Sequence, residues 1–387
     1  MVPLEVALDW LRGQQLAMEN LLFELVKISS HTPDVDGNRQ VAERYAAALA
    51  TLGGSALAVK LEPSRQFGPH VTARSTAHPP RTLLIGHHDT VFPRATFSGM
   101  REDGELLRGP GVLDMKGGLV VIAFALGALE RAGVLANIPV SVISVSDEEI
   151  GSPEGKQLVM AAAREAARAL VFESGRIGDL VITQRKGTAG MKVLATGKAA
   201  HAGNAHEEGC NAIWALARFI DRAQAMTDYA AGITVNVGAV SGGIGKNTVP
   251  EQAQALLDFR FVGNQDGEKM ILALKEAARS AAASVPGTQI ELEGGILRPP
   301  LERSAASAQL AAQYGQAQAQ CGLGSAESGL LGGGSDANTA SAAGVPAIDG
   351  LGPRGRGFHT TSEYIERKTL HEKAMALIHF LIATHLA

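Results

Sequence analysis

Residues 82–90 are TLLIGHHDT, a short apolar run that leads directly into two histidines and an aspartate. The run is typical of a strand buried on both faces, and the polar residues follow at its carboxyl end. Residues 138–149, IPVSVISVSDEE, repeat the pattern with an aspartate and two glutamates after a second apolar run. In open α/β sheets, ligands bind beyond the carboxyl ends of the strands. The two segments therefore predict a functional site at one edge of a sheet.

Helical patterns and short apolar runs alternate around these two segments. Alternation of this kind predicts an α/β sheet with helices on both faces. The predicted helices cover residues 15–28, 115–132, 154–169, 307–320 and 368–385, and further strands cover residues 170–172 and 347–349.

The order of the predicted elements changes between residues 187 and 299, where it becomes strand, helix, strand, strand, helix, strand. This order is that of the ferredoxin-like α+β motif. The predicted elements cover residues 191–196, 211–226, 233–240, 254–262, 267–282 and 288–292. We therefore expect a discontinuous α/β domain of residues 1–186 and 300–387, with a ferredoxin-like domain of residues 187–299 inserted into it.

Composition excludes several classes of protein. The formal net charge is −4 and no basic stripe is present, so we expect no nucleic-acid partner. The two cysteines, Cys210 and Cys321, are too few for a disulfide framework or a thiolate zinc cluster. Residues 117–129 are the longest apolar stretch and favour a buried helix over a membrane span. Because the first residues lack the pattern of a secretory signal, we expect a cytoplasmic protein without a membrane partner.

Five separate segments place a histidine or a carboxylate beyond a strand or in a loop: residues 86–90, 113–118, 146–149, 172–174 and 357–360. Burial of so many carboxylates is costly unless cations compensate their charge. Two histidines with three acidic residues offer the nitrogen and oxygen donors that suit zinc or its near neighbours. Two ions roughly 3.5–4 Å apart would need one carboxylate to bridge them. Spacing alone leaves several ligand assignments open.

In this order the five segments resemble the co-catalytic zinc peptidase family that includes glutamate carboxypeptidase, aminoacylase and succinyl-diaminopimelate desuccinylase. The resemblance extends over essentially the whole chain and includes the inserted domain. Among those members the sequence is most similar to glutamate carboxypeptidase. The stretches that carry the similarity are GHHDTVFP at 86–93, GKAAHAG at 197–203, GGGSDAN at 332–338 and FHTTSEYI at 358–365.

The resemblance implies two zinc ions per chain, with cobalt or manganese as substitutes. Asp114 would bridge the two ions. His87 and Glu173 would complete the first site, and Glu149 and His359 would complete the second.

The resemblance also assigns two catalytic carboxylates beside the metals. Asp89 would orient the imidazole of His87, as a metal-bound histidine usually requires. Glu148 would be the general base, because a residue next to a ligand on a turning backbone can point its side chain toward the attacking water. We interpret His88 as a structural neighbour and Asp147 as a residue that caps the turn.

The inserted domain would act as a lid and dimerisation domain. His201 matches a histidine that stabilises the oxyanion in the family, in several members from the partner subunit, and this implies a homodimer. Asn247 and Arg260 would hold the carboxylate of the substrate, a task that suits an arginine fork. A surface ion pair between Arg260 and Asp258 is the competing interpretation.

The function implied is that of a metallo-carboxypeptidase that releases a C-terminal amino acid, with glutamate as a candidate, from a peptide or an N-acyl conjugate. Arg185 and Lys186 depart from glutamate carboxypeptidase, which puts a strict preference for glutamate in doubt. The alternatives are an N-acyl-amino-acid deacylase or a succinyl-diaminopimelate desuccinylase. A non-enzymatic alternative is an inactive metal- or peptide-binding homologue, against which the intact Glu148 argues.

Overall fold

The structure, a computed structural model, describes residues 2–76 and 82–386. The chain forms two compact units. The first unit comprises Met1–Gln184, Arg303–Leu330 and Ser335–Ala387, and the second comprises Arg185–Glu302 and Leu331–Gly334. The domain boundaries expected from the sequence, and the roles given to the two domains, stay predictions.

The described residues contain ten helices and sixteen strands. The helices are α1 Pro3–Arg12, α2 Gln15–Lys27, α3 Val35–Gly53, α4 Gly117–Arg131, α5 Gly155–Arg164, α6 Ala212–Gln224, α7 Asn264–Ala283, α8 Ala305–Gln320, α9 Asp336–Ala342 and α10 Arg367–His385. The strands are β1 Leu57–Glu62, β2 His70–Ser75, β3 Thr82–His87, β4 Arg101–Asp103, β5 Leu106–Arg108, β6 Val140–Val145, β7 Arg168–Val171, β8 Gly187–Thr196, β9 Ala200–His201, β10 Thr234–Gly242, β11 Thr248–Val249, β12 Gln252–Phe261, β13 Gln289–Arg298, β14 Ala347–Ile348, β15 Gly355–Arg356 and β16 Tyr364–Glu366.

A mixed six-stranded sheet organises the first unit, in the order β1-β2-β6-β3-β7-β14. Strands β6, β3, β7 and β14 are parallel, whereas β1 and β2 pair antiparallel at one end. Every residue of β3 and β6 is buried, which explains their continuous apolar character. Because the parallel strands share one direction, their carboxyl ends meet at a single edge of the sheet.

Helix α4 is the central helix of this unit. By length and composition the helical stretch Val112–Arg131 could cross a membrane, but 94% of its most apolar window is buried inside the fold, as in the core helix of a globular protein. The helix begins with Gly117 and Gly118. A Cβ atom added at Gly118 would lie 2.1 Å from the carbonyl oxygen of Phe172, so only glycine lets the start of α4 approach the end of β7.

A second sheet of four short antiparallel strands, β15-β16-β5-β4, was not predicted from the sequence. Strand β16 pairs with β5 so that Tyr364 lies opposite Arg108 and Glu366 opposite Leu106. This pairing brings the C-terminal segment that contains His359 next to the segment that leads into α4.

The second unit has the predicted ferredoxin-like fold. Its strands lie antiparallel in the order β10-β12-β8-β13, with α6 and α7 packed on one face. The alternating side chains of β12 fill the core through Leu257, Phe259 and Phe261, which pack with Phe219 of α6 and Leu274 of α7. The predicted fold class, a mixed sheet flanked by helices with an inserted α+β domain, is confirmed.

One predicted element is wrong in its extent. The sequence predicts a helix over residues 154–169, but α5 ends at Arg164 and strand β7 begins at Arg168. The alanine-rich stretch favours helix locally. Pairing of Thr82 with Arg168, and of the following residues in register, places residues 168–171 in the sheet instead.

Candidate metal centre

The carboxyl edge of the parallel strands supplies most of the predicted site. His87 is the last residue of β3, Glu148 and Glu149 lie in a short helical turn directly after β6, and Glu173 follows β7 by two residues. His87 and Glu173 are buried. Neighbouring strand ends therefore bring these side chains together, as the sequence pattern predicts.

Asp114 lies between the two histidines of the cluster. Its Oδ1 atom is 3.4 Å from Nε2 of His87, and its Oδ2 atom is 3.3 Å from Nε2 of His359. Each carboxylate oxygen thus faces a different imidazole. This is the arrangement expected of a carboxylate that bridges two cations.

The remaining two acidic residues each approach one histidine. Oε1 of Glu173 is 3.6 Å from Nε2 of His87, and Oε2 of Glu149 is 3.1 Å from Nε2 of His359. Potential ligand atoms of His87, Asp114 and Glu149 lie within 4.8 Å of one another, as do those of His87, Glu148 and Glu173. The structure therefore brings together all five residues that the resemblance assigns to metal, with Glu148 beside them.

Asp89 connects His87 to the short helical turn that contains Glu148 and Glu149. It is fully buried, and its Oδ1 atom lies 3.3 Å from Nδ1 of His87. Its carboxylate accepts hydrogen bonds from the backbone N–H groups of Glu148 and Glu149, each at 3.2 Å. The hydroxyl of Thr32 donates a further bond of 2.7 Å. Asp89 therefore contacts the imidazole of His87, as the predicted orienting role requires, and it holds the turn that carries both glutamates.

Sequence reasoning missed Thr32. Its contact with Asp89 spans 57 residues of the chain, and it forms because the segment from Ser30 to Thr32 runs beside Thr90. Nothing in the local pattern at residue 32 distinguishes this threonine from any other loop threonine.

The electrostatics of the cluster favour added cations. Burial raises the pKa of Glu173 to about 7 and also raises the pKa of Glu149. Hydrogen bonds to Asp114 and Glu149 raise the pKa of His359 to about 10. Without cations, protons would have to compensate the crowded carboxylates. Divalent ions that prefer nitrogen and oxygen donors fit this set of residues.

The two neighbours interpreted as structural point away from the cluster. Nδ1 of His88 lies 2.9 Å from the hydroxyl of Ser144, and burial lowers the pKa of His88 to about 3. Oδ2 of Asp147 accepts hydrogen bonds from the backbone N–H groups of Glu154 and Gly155 at 2.7 and 3.0 Å. Asp147 therefore holds the start of α5.

Two of the three residues predicted to contact the substrate, the catalytic His201 and the substrate-binding Asn247, lie close together within the second unit. Strands β9 and β11 pair, with His201 opposite Thr248, and the carbonyl of Asn247 accepts a hydrogen bond from Ala202 at 2.9 Å. The His201 side chain is exposed, and its Nδ1 atom accepts hydrogen bonds from the backbone N–H groups of Gly203 and Asn204 at 3.1 Å.

Arg260, the third such residue, lies on β12 and is already engaged. Its Nε and Nη2 atoms each donate to a carboxylate oxygen of Asp258 at 2.8 Å. This bidentate ion pair between Arg260 and Asp258 is the competing interpretation that the sequence left open. In the second unit, Nη1 of Arg185 donates to the carbonyl of Gly333 at 3.0 Å. Gly333 lies in the run of three glycines at residues 332–334.

Comparison with known proteins identifies one domain of the chain and shows what the whole chain is similar to. Residues 183–286 match the family model of the M20 peptidase dimerisation domain. The chain is 29% identical to carboxypeptidase G2 of Pseudomonas sp. (strain RS-16) over 362 residues, which cover 91% of this chain and 86% of that protein. It is 30% identical to acetylornithine deacetylase of Myxococcus xanthus over 224 residues, covering 54% of this chain and 57% of the other.

A solved structure gives the same fold. The M20 family metallo-carboxypeptidase Sso-CP2 of Sulfolobus solfataricus superposes with a TM-score of 0.74 at 19% identity, covering 96% of this chain and 99% of that chain. With the cluster of candidate ligands, these similarities define a metal-dependent peptidase or amidohydrolase. The chain is similar to M20 metallopeptidases in sequence and in fold, and residues 183–286 match the dimerisation domain of that family.

We expect substitution of Asp89 by asparagine to lower zinc affinity about 10–100-fold, the range typical of partners that orient a metal ligand. The neutral amide cannot stabilise the His87 imidazole as the carboxylate does. Zinc affinity can be measured by competition with a chromophoric chelator. Asp103→Asn, at an exposed position of β4, is the matched control and should retain wild-type affinity. Equal affinities for the two variants would contradict this role of Asp89.

Proposed function

We propose that this protein is a di-zinc carboxypeptidase that hydrolyses the amide bond before a C-terminal amino acid in a peptide or an N-acyl conjugate. The observation that carries the proposal is the position of Asp114, whose two oxygens face His87 and His359 at 3.4 and 3.3 Å. One carboxylate between two histidine sites supports a two-metal centre. Extended similarity to carboxypeptidase G2 supports the carboxypeptidase activity.

In this proposal each ion has its own ligands besides Asp114. His87 and Glu173 would hold the first ion, and Glu149 and His359 would hold the second. When bound, such a pair of ions acts as a Lewis acid and lowers the pKa of water toward neutrality. Cobalt or manganese can replace zinc, because the donor set is imidazole and carboxylate.

Glu148 is the proposed general base. Its side chain lies near His87 and Glu173, so it can accept a proton from a water molecule held at the centre. As the water oxygen bonds to the carbonyl carbon and the C–N bond breaks, Glu148 would deliver that proton to the leaving nitrogen, and the products would be the free amine of the released amino acid and a carboxylic acid. Asp89 fixes the backbone of Glu148 and so positions this base.

The second unit supplies the proposed substrate contacts. His201 would stabilise the negative charge that develops on the scissile carbonyl oxygen, from its own or a partner subunit. Asn247 and Arg260 would hold the free carboxylate of the substrate. Because Arg260 now binds Asp258, substrate binding would require the arginine to exchange one carboxylate for another. The match to a dimerisation domain supports a homodimer formed through this unit.

A second candidate function is the deacylation of N-acyl amino acids. It is favoured by the similarity to acetylornithine deacetylase, which includes about half of each chain. The same centre would serve both reactions, and the identity of the acyl group would distinguish them. A cytoplasmic location is part of the proposal for either substrate class.

We expect Glu148→Gln to lower turnover by at least ~10²-fold while both metal ions stay bound, because the amide cannot accept the proton. Turnover can be followed by the amine released, and metal content by elemental analysis of the same sample. Glu149→Gln is the matched comparison and should lose metal as well as activity. Near wild-type turnover in the Glu148 variant would show that another group is the base.

We expect Arg260→Ala to raise KM for substrates with a free carboxylate and to change kcat little, because the arginine would bind the substrate remote from the reacting bond. Asp258→Ala is the control, since it removes the partner of Arg260 and leaves the arginine in place. Equal wild-type activity on a substrate and on its carboxamide-blocked form would contradict this role.

The proposed function is tested by a screen of dipeptides, folyl-type conjugates and N-acyl amino acids with zinc or cobalt, measured by released amine. Preference for peptides and conjugates with a free terminal carboxylate is the expected result. Strong preference for simple N-acetyl or N-succinyl amino acids would assign deacylation instead. Absence of turnover for every substrate by a protein that contains two metal ions would contradict both candidates.

A further inference from the structure

Glu363 is a buried carboxylate that the catalytic scheme does not use. It lies directly before β16, in the segment that follows His359, and its side chain is fully shielded from solvent. A charge in such a place requires strong compensation by hydrogen bonds or by an opposite charge. Its surroundings therefore indicate what it stabilises.

Three backbone N–H groups of a single loop compensate Glu363. Its Oε1 atom accepts hydrogen bonds from Leu113 at 2.8 Å and from Asp114 at 3.0 Å, and its Oε2 atom accepts one from Gly111 at 3.1 Å. The two oxygens of one buried side chain therefore accept all three N–H groups. The loop that presents Asp114 to the centre is therefore fastened to one carboxylate.

The buried amine of Lys116 has hydrogen-bond partners other than Glu363. Nζ of Lys116 donates to the carbonyls of Leu25 and Ile28, each at 3.0 Å. In the part of the chain that the structure describes, every hydrogen bond that the Glu363 side chain accepts comes from the main chain at residues 111–114. The carboxylate thus holds backbone geometry and does not serve as one half of an ion pair.

The same carboxylate is also fixed relative to His359. The turn between them is closed by hydrogen bonds from Thr360 N–H to the carbonyl of Gly357 at 3.0 Å and from Glu363 N–H to the carbonyl of Thr360 at 3.2 Å. His359 adopts a positive φ of 61° within this turn. Glu363 therefore joins the segment of one candidate ligand, His359, to the backbone of another, Asp114.

We propose that Glu363 is a positioning residue that sets the distance between Asp114 and His359, so that metal binding depends on it although it contributes no ligand atom. This inference rests on the proposed two-metal function. The cobalt-loaded protein provides a readout of ligand geometry, since the visible absorption of cobalt responds to the arrangement of its ligands. A purely structural role far from the centre would leave that spectrum unchanged.

The test compares wild type, Glu363→Gln and Glu105→Gln. Glutamine is nearly the same size but replaces one accepting oxygen with an NH₂ group, which cannot accept the N–H groups of the loop. Glu105 is exposed in the turn between β4 and β5 and serves as the matched control. We expect Glu363→Gln to lower zinc affinity about 10–100-fold and to alter the cobalt spectrum, and Glu105→Gln to change neither.

Wild-type affinity and an unchanged spectrum in Glu363→Gln would overturn the inference while leaving the two-metal function intact. A wild-type protein that cannot bind two divalent ions would instead overturn the proposed function, and this inference with it. If the variant does not fold, hydrogen exchange in the metal-loaded wild type decides. Slow exchange of the Gly111, Leu113 and Asp114 amides supports the inference, and rapid exchange overturns it.

Discussion

The concentration of negative charge at one sheet edge is the constraint on which the first unit depends. Asp89, Asp114, Glu149 and Glu173 lie within a small volume and are largely shielded from water. Two imidazoles cannot compensate these carboxylates. Such a cluster is stable only if hydrogen bonds, protons or cations offset the repulsion. Among the four, Asp89 accepts two backbone N–H groups and the hydroxyl of Thr32. The strands, the turn after β6 and the glycines at the start of α4 can be understood as the scaffold that makes this crowding possible.

Asp89 and Glu363 act in the same way on two different segments of the cluster. Asp89 accepts two N–H groups from the turn that carries Glu148 and Glu149, and Glu363 accepts three from the loop that carries Asp114. In both cases a buried carboxylate fixes a backbone segment, and that segment presents another carboxylate to the centre. The candidate ligands are therefore held through the main chain, where side-chain flexibility contributes least.

Much of this arrangement could be predicted from the sequence, because its signals are local. The runs at 82–86 and 138–145 indicate buried strands, and the polar residues after them indicate the edge where His87 and the glutamates lie. The ferredoxin-like order of residues 187–299 was equally accessible from periodicity. The pairing of β16 with β5 could not be predicted, because strands of three residues carry almost no periodic pattern. The roles of Thr32 and Glu363 depend on contacts across 57 and about 250 residues, which composition and spacing do not encode.

The wide separation of the candidate ligands along the chain has a consequence for biosynthesis. His359 and Glu363 follow His87 by more than 270 residues along the chain. During translation the early strands can form while the second histidine is still inside the ribosome, since folding proceeds as segments emerge. A product terminated before residue 359 would therefore carry an incomplete centre, and the proposed hydrolytic activity would require synthesis to pass that residue.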